Sequence, residues 1–192
     1  EGEAKCRVCL YDLGAKSGLV DELVKRGCVV TVVPADTNAE TVMELAPDGI
    51  VLSNGPGDPA ENTEIIAEVE KLVEKKIPMF AAGLGHQILA LANGGKTEKL
   101  KYGHRGENQP ATRLSTGKVY VTSQNHGYVV VNDSMEGKAE ISFANTNDGT
   151  CEGLTYINIP AFSVQFAIDT SGGPLDTSFM YDDFVKMVTS NN

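Results

Sequence analysis

The sequence predicts an α/β fold: a doubly wound, mostly parallel sheet extended by antiparallel strands in its second half. Three observations carry this. Short β-branched and apolar runs alternate with amphipathic, helix-spaced runs from residue 6 to about residue 95, and such alternation builds a parallel sheet covered on both faces. Beyond that point strand-like runs follow one another with turn signals between them. No internal repeat, low-complexity tract or long polar linker divides the chain, and 192 residues suit one domain with a full core. A single domain over 1–192 is therefore expected.

The elements follow in order. "CRVCLYDLG" (6–14) is a short strand-like run ending at Gly14, and "SGLVDELVKRG" (17–27) has helical apolar spacing, with Ser17 as N-cap and a glycine stop. "CVVTVVP" (28–34) is a second buried strand and "NAETVMELAP" (38–47) a short helix. "GIVLSNGPGDP" (49–59) is a third strand running into a Gly/Pro loop, followed by the amphipathic helix "ENTEIIAEVEKLVEKKI" (61–77). "PMFAAG" (78–83) is a fourth strand, which turns sharply at Gly83-Leu84-Gly85 into a helix starting near His86. In the second half, "KVYVTSQNHGYVVV", "AEISFANTND", "CEGLTYIN" and "AFSVQFAI" read as strands, and "TSFMYDDFVKMV" (177–188) as a closing helix.

Composition narrows the function. A net charge of -10 argues against a nucleic-acid surface, which needs clustered Lys and Arg; pairs such as Lys75-Lys76 and Lys99/Lys101 lie beside acids and read as solvated face. No apolar run approaches the roughly 20 residues of a membrane span, and the first residues show no signal-peptide pattern, so a cytoplasmic setting is expected. "CRVC" (6–9) has CxxC spacing, but no second Cys or His pair follows to complete a zinc site. It starts a strand rather than a helix, so its two thiols point to opposite faces as small buried hydrophobes. His86, His104 and His126 lie in separate segments without a metal pattern. Neither metal nor cofactor is expected.

In doubly wound sheets ligands bind beyond the carboxyl ends of the strands. Three loops should gather there. "SNGPGDP" lets backbone N–H groups approach an anion, though it also reads as a tight turn and matches no phosphate-binding signature. "GLGHQ" is a strand–turn–helix elbow, the geometry that exposes a nucleophile in hydrolases, but its apex is Gly83, which has no side chain. "TSQNHGY" (122–128) offers Asn125 and the Gly127 backbone to an amide or amino acid, and spacing alone does not separate this from ordinary loop chemistry.

Taken together, "LSNGPGDP", "GLGHQILALANGGKT", "YGHRGENQP", "VTSQNHGY", "NDGTCEGL" and "AFSVQF" resemble the triad-type class I glutamine amidotransferase domain. The likeness is to the glutaminase half of the carbamoyl-phosphate synthetase small subunit, from about residue 5 to about residue 188. The resemblance implies a cysteine nucleophile at the elbow, a histidine base oriented by a carboxylate, and ammonia passed to a synthetase. Carried over position by position, the nucleophile position is Gly83, the base position Ala167 and the carboxylate position Asp169. It also implies oxyanion donors at Gly55 and Leu84, and a glutamine head group held by Gln87, Asn125 and the Gly57 and Gly127 backbones, with Tyr128 nearby.

From Gly83 and Ala167 the sequence leads to the expectation of a catalytically inactive domain without thiol-type glutaminase activity. It would be a structural or regulatory partner of a carbamoyl-phosphate-type synthetase large subunit. Two alternatives are a glutamine- or amino-acid-sensing module and an engineered inactive glutaminase. A third, new chemistry among Asp58, His126 and Asp169, finds no pair spaced for acid–base work.

Overall fold

A computed structural model of the chain describes residues 4–168 and 175–190. Strands β1 (Cys6–Asp12), β2 (Cys28–Pro34), β3 (Gly49–Leu52), β4 (Met79–Ala82) and β9 (Ala161–Val164) pair in parallel. Strands β5 (Thr97–Arg113), β6 (Lys118–Val130), β7 (Ala139–Asn145) and β8 (Cys151–Tyr156) extend the same sheet with antiparallel pairing. The order is β2-β1-β3-β4-β9-β8-β7-β5-β6. This is the doubly wound arrangement with antiparallel extension that the alternation predicts.

Helices cover both faces of the parallel part. On one face Ile50, Leu52, Met79 and Ala81 pack with Val42 of α2 (Ala39–Glu44), Leu72 of α3 (Thr63–Glu74) and Ile88 of α4 (Leu84–Ala92). On the other, Val8, Leu10, Val51 and Phe80 pack with Leu19 of α1 (Ser17–Lys25) and Phe184 of α5 (Phe179–Ser190). Neighbouring strand residues serve opposite cores, as a period of two requires. Cys6 and Cys9 accordingly belong to different cores, and the four cysteines are buried free thiols. Burial pushes the Cys9 thiol up to about 11, so it is protonated at neutral pH. Cys6 and Cys28 are register partners across β1 and β2, with their sulfurs 3.5 Å apart.

Three local expectations shift. Lys16, not Ser17, holds the N-cap position of α1, and it makes no side-chain cap hydrogen bond. The third strand ends at Leu52, where the chain leaves the sheet to build the glycine loop. β5, which contains "GHRGENQP", has no counterpart in the strand-like runs read from the sequence. Its Gly103 and Gly106 take positive φ, and its register with β6 shifts on either side of His104–Gly106. Glycine, proline and charge disguise such a bulged strand.

Candidate functional site

The sheet brings the predicted loops to one place. A cavity of about 690 Å³ is lined by Gly55, Gly57, Gly83, Leu84, Gln87, Asn125, Gly127, Tyr128 and Ala167. All the candidate site residues but one therefore meet; Asp169 lies outside the described residues. Spacing does not reveal Lys16, Lys99, Arg105, Ser123 and Gln165 in the same wall. Lys99 and Arg105 arrive on β5, and failing to read that strand conceals them.

The elbow keeps its shape. Gly83 has φ 56° and ψ -116°, a conformation that side-chain-bearing residues occupy at a cost. A Cβ there would stand 2.9 Å from Asn54 Cβ. The Gly83 N–H donates to Val164 O at 2.9 Å, fixing the turn to β9. Leu84 opens α4, so its N–H is one of the four that a helix start leaves without an intrahelical acceptor. Across the cavity, Gly55 packs so closely that a Cβ would lie 2.1 Å from Leu13 O, and only glycine lets that backbone line the site.

Gln87 braces the wall. Its Nε2 donates to Tyr128 O at 2.7 Å and to Gln165 Oε1 at 2.8 Å. Tyr128 reaches across the mouth: its hydroxyl bonds the Asp58 side chain, which raises its pKa, and Lys99 Nζ stands 5.8 Å from its ring centre. In a chain of net charge -10, Lys16, Lys99 and Arg105 concentrate positive charge on this cavity, which suits an anionic group.

The histidines divide into two environments. His86 is fully buried, with Nδ1 2.8 Å from Ser163 Oγ, and desolvation, with the His126 charge opposing protonation, lowers its pKa to about 3. It is a neutral structural residue. His104 and His126, distant in sequence, are register partners on β5 and β6. With Glu152 they bring three potential ligand atoms within 4.8 Å of one another. The Glu152 carboxylate, joined by Asp148, raises the His104 pKa to about 9 against the effect of burial. His126 lines the cavity, while Glu152 is buried behind it. This cluster is the group among the described residues with the composition to hold a metal ion.

Comparison with known proteins follows the same lines. The family description "Glutamine amidotransferase class-I" matches residues 9–187. The chain is 51% identical over 183 residues to a carbamoyl phosphate synthase small chain from Bacillus cereus, covering 95% of this chain and 50% of the relative. It is 47% identical over 186 residues to that of Fusobacterium nucleatum, covering 96% and 52%. The chain thus spans about half the length of the curated relatives it matches. A solved structure from Thermoplasma acidophilum, described as a GMP synthase component, superposes with a TM-score of 0.84 at 17% identity, covering 100% of this chain and 96% of that one. That likeness concerns the fold.

These findings overturn the expectation of a catalytically inactive domain, and with it the sensor and engineered-inactive alternatives. Residues 83 and 167 are glycine and alanine; what fails is the step from those two positions to an inert protein. About half of all positions are shared with carbamoyl phosphate synthase small chains along nearly the whole chain. The fold also brings His104, His126 and Glu152 together beside the cavity. Taken singly, each histidine lacks a pattern, whereas cross-strand pairing makes two of them one unit. Loss of thiol-type activity therefore does not follow, and "catalytically inactive" does not describe the chain.

Proposed function

Because the chain belongs to the class I glutamine amidotransferase family, we propose that it is the glutamine-handling half of a carbamoyl phosphate synthase small chain. In this reading one domain over 1–192 takes the amide nitrogen of L-glutamine and delivers it as ammonia to a large-chain partner. The supporting observation is the single cavity in which the elbow, the glycine loop and the β6 segment converge.

The chemistry follows from what lines that cavity. Amide hydrolysis builds negative charge on the carbonyl oxygen, and the Leu84 and Gly55 N–H groups are the donors for it. Gly83 brings no side chain to the amide carbon, which leaves the apex open to water: the water oxygen forms the new C–O bond as the C–N bond breaks, and a proton of that water goes to the departing ammonia. Asn125 and the Gly57 and Gly127 backbones hold the amino-acid head group, Gln87 holds the Tyr128 backbone in place, and Lys99 and Arg105 face its carboxylate. A cytoplasmic setting belongs to the same reading, since four buried free thiols suit a reducing compartment. No helix among the described residues is long and apolar enough to cross a membrane.

The test is calorimetric titration with L-glutamine, together with an ammonia assay on the chain mixed with a carbamoyl phosphate synthase large chain. Saturable binding with ammonia released above a buffer control is the expected result. Bound glutamine that yields no ammonia, with the large chain present, would overturn the proposal.

A further inference from the structure

The cluster behind the cavity wall has an electrostatic arrangement that ordinary hydrogen bonding does not satisfy. His104 Nε2 lies 2.9 Å from Asp148 Oδ2, and His126 Nδ1 lies 2.9 Å from Tyr128 O. Both partners are acceptors, so each of these ring nitrogens carries the proton. In the neutral rings the lone pairs then sit on His104 Nδ1 and His126 Nε2, and those atoms face each other at 3.2 Å. Glu152 Oε1 stands 3.3 Å from His104 Nδ1, and Gln124 Oε1 3.0 Å from His126 Nε2. With His104 neutral, four electron-pair donors therefore converge. Asn145 Nδ2 is a donor beside them, 3.1 Å from Glu152 Oε1 and 3.5 Å from His104 Nδ1. The other Glu152 oxygen, Oε2, is buried without a hydrogen-bond partner among the described residues, a costly state for a carboxylate.

The geometry points to a binding site for a divalent cation of the zinc class, with His104 Nδ1, His126 Nε2 and Glu152 as ligands and Gln124 Oε1 beside them. Three features support it. Ligands at about 2.0–2.1 Å from a tetrahedral zinc stand about 3.3 Å from one another, which matches the 3.2 and 3.3 Å from His104 Nδ1 to His126 Nε2 and to Glu152 Oε1, and all three ligand atoms lie within 4.8 Å. Two histidines and a glutamate form an established zinc ligand set. Each histidine gives its outer N–H to an oxygen, His104 to a carboxylate and His126 to a backbone carbonyl, which is how ligating imidazoles are oriented and made more basic.

The competing occupant is a proton. An imidazolium at His104 would donate from Nδ1 toward Glu152 and His126, but it would leave the His126 Nε2–Gln124 Oε1 contact unsatisfied. A divalent ion displaces that proton and satisfies the converging lone pairs together. The ion would enter beside Asp148, which is exposed. It would pin β5 and β6 to β8 behind Asn125, Gly127 and Tyr128, stiffening the wall of the glutamine cavity.

The experiment is a titration of the chelator-treated full chain with Co²⁺, followed by displacement with Zn²⁺. One equivalent is expected, with the visible d–d bands of a tetrahedral nitrogen–oxygen site and without a thiolate charge-transfer band. Affinity should fall on the order of 100-fold or more in Glu152→Gln. Failure of the folded chain to bind, a thiolate band that places the metal on cysteine, or binding unchanged in Glu152→Gln would each overturn the proposal. Should Glu152→Gln not fold, histidine NMR of the unaltered chain decides. Zinc must shift the ring signals of His104 and His126 and leave His86 in place; any other pattern refutes the site.

Discussion

Gln87 Nε2 donates to Gln165 Oε1 at 2.8 Å while also donating to Tyr128 O at 2.7 Å. One buried amide thereby joins the first turn of α4, the chain just beyond β9, and β6. Gln87 and Gln165 are each 3% exposed, so water does not readily replace the bonds. Gln87→Leu keeps the bulk and removes the donor, leaving Gln165 Oε1 without this bond and Tyr128 O with only the bond from His126 Nδ1. An unmet buried acceptor costs about 1–3 kcal/mol. Urea unfolding should show a loss of at least that size, and an unchanged midpoint would mean that the link adds nothing to stability.

Gly83→Ala should destabilise the chain more than a glycine replacement in an open turn. The backbone conformation at 83 costs about 1–3 kcal/mol for a side-chain-bearing residue. The new Cβ would also press on Asn54 Cβ at 2.9 Å. In thermal unfolding, Gly83→Ala should lower the midpoint clearly, and Asn54→Gly combined with it should recover part of the loss. A comparison replacement at Gly117, whose added Cβ meets nothing within 4 Å, measures the backbone component alone. Equal losses at the two sites would show that the elbow is not crowded.

The two halves of the molecule differ in how openly the sequence declares them. Val51 and Leu52 or Phe80 and Ala81 read as buried strand because parallel strands covered on both faces are continuously apolar, and the glycine loop and elbow follow from their place after those strands. β5 does not declare itself, because Gly103, Gly106 and Pro110 serve a bulged edge ladder rather than a regular one. With β5 unread, Lys99, His104 and Arg105 have no assigned position. That is why the basic lining of the cavity and the pairing of His104 with His126 emerge only from the structure. The functional misreading has the same root: side chains weighed one position at a time carry no cross-strand register to group them.

His86 gives the chain an acid-sensitive core. Its pKa falls from an ordinary 6.5 to about 3, because burial penalises the charged ring and the His126 charge opposes it. Ser163 Oγ meets Nδ1, and Nε2 has no partner among the described residues to stabilise a proton. Above pH 6.5 neither folded nor unfolded chain protonates this residue, and it contributes no pH dependence. Below 6.5 the unfolded chain gains a proton that the native state refuses. Stability should fall by about 1.4 kcal/mol per pH unit until the pH approaches 3. Urea midpoints measured from pH 7 to pH 4 should show this slope in the unaltered chain and a shallower one in His86→Asn. Parallel slopes would assign the acid sensitivity to other groups.

The positive lining of the cavity makes a separable prediction about recognition. Arg105 faces the cavity with Lys99, and its Nη1 donates to Tyr102 O, which holds the guanidinium in the bulged part of β5. A hydrogen bond to a charged group contributes about 1.5–3 kcal/mol, so Arg105→Gln should weaken L-glutamine binding on the order of 10- to 100-fold. The effect must depend on the ligand carboxylate. An analogue that keeps the side-chain amide and lacks the α-carboxylate should bind the unaltered chain and Arg105→Gln equally, completing a cycle that isolates the pair. Arg105→Lys keeps the charge but loses the planar fork, and its affinity should fall between the two. If calorimetry shows the same loss for both ligands, Arg105 shapes the wall without meeting the carboxylate, and the head-group contact moves to Lys99.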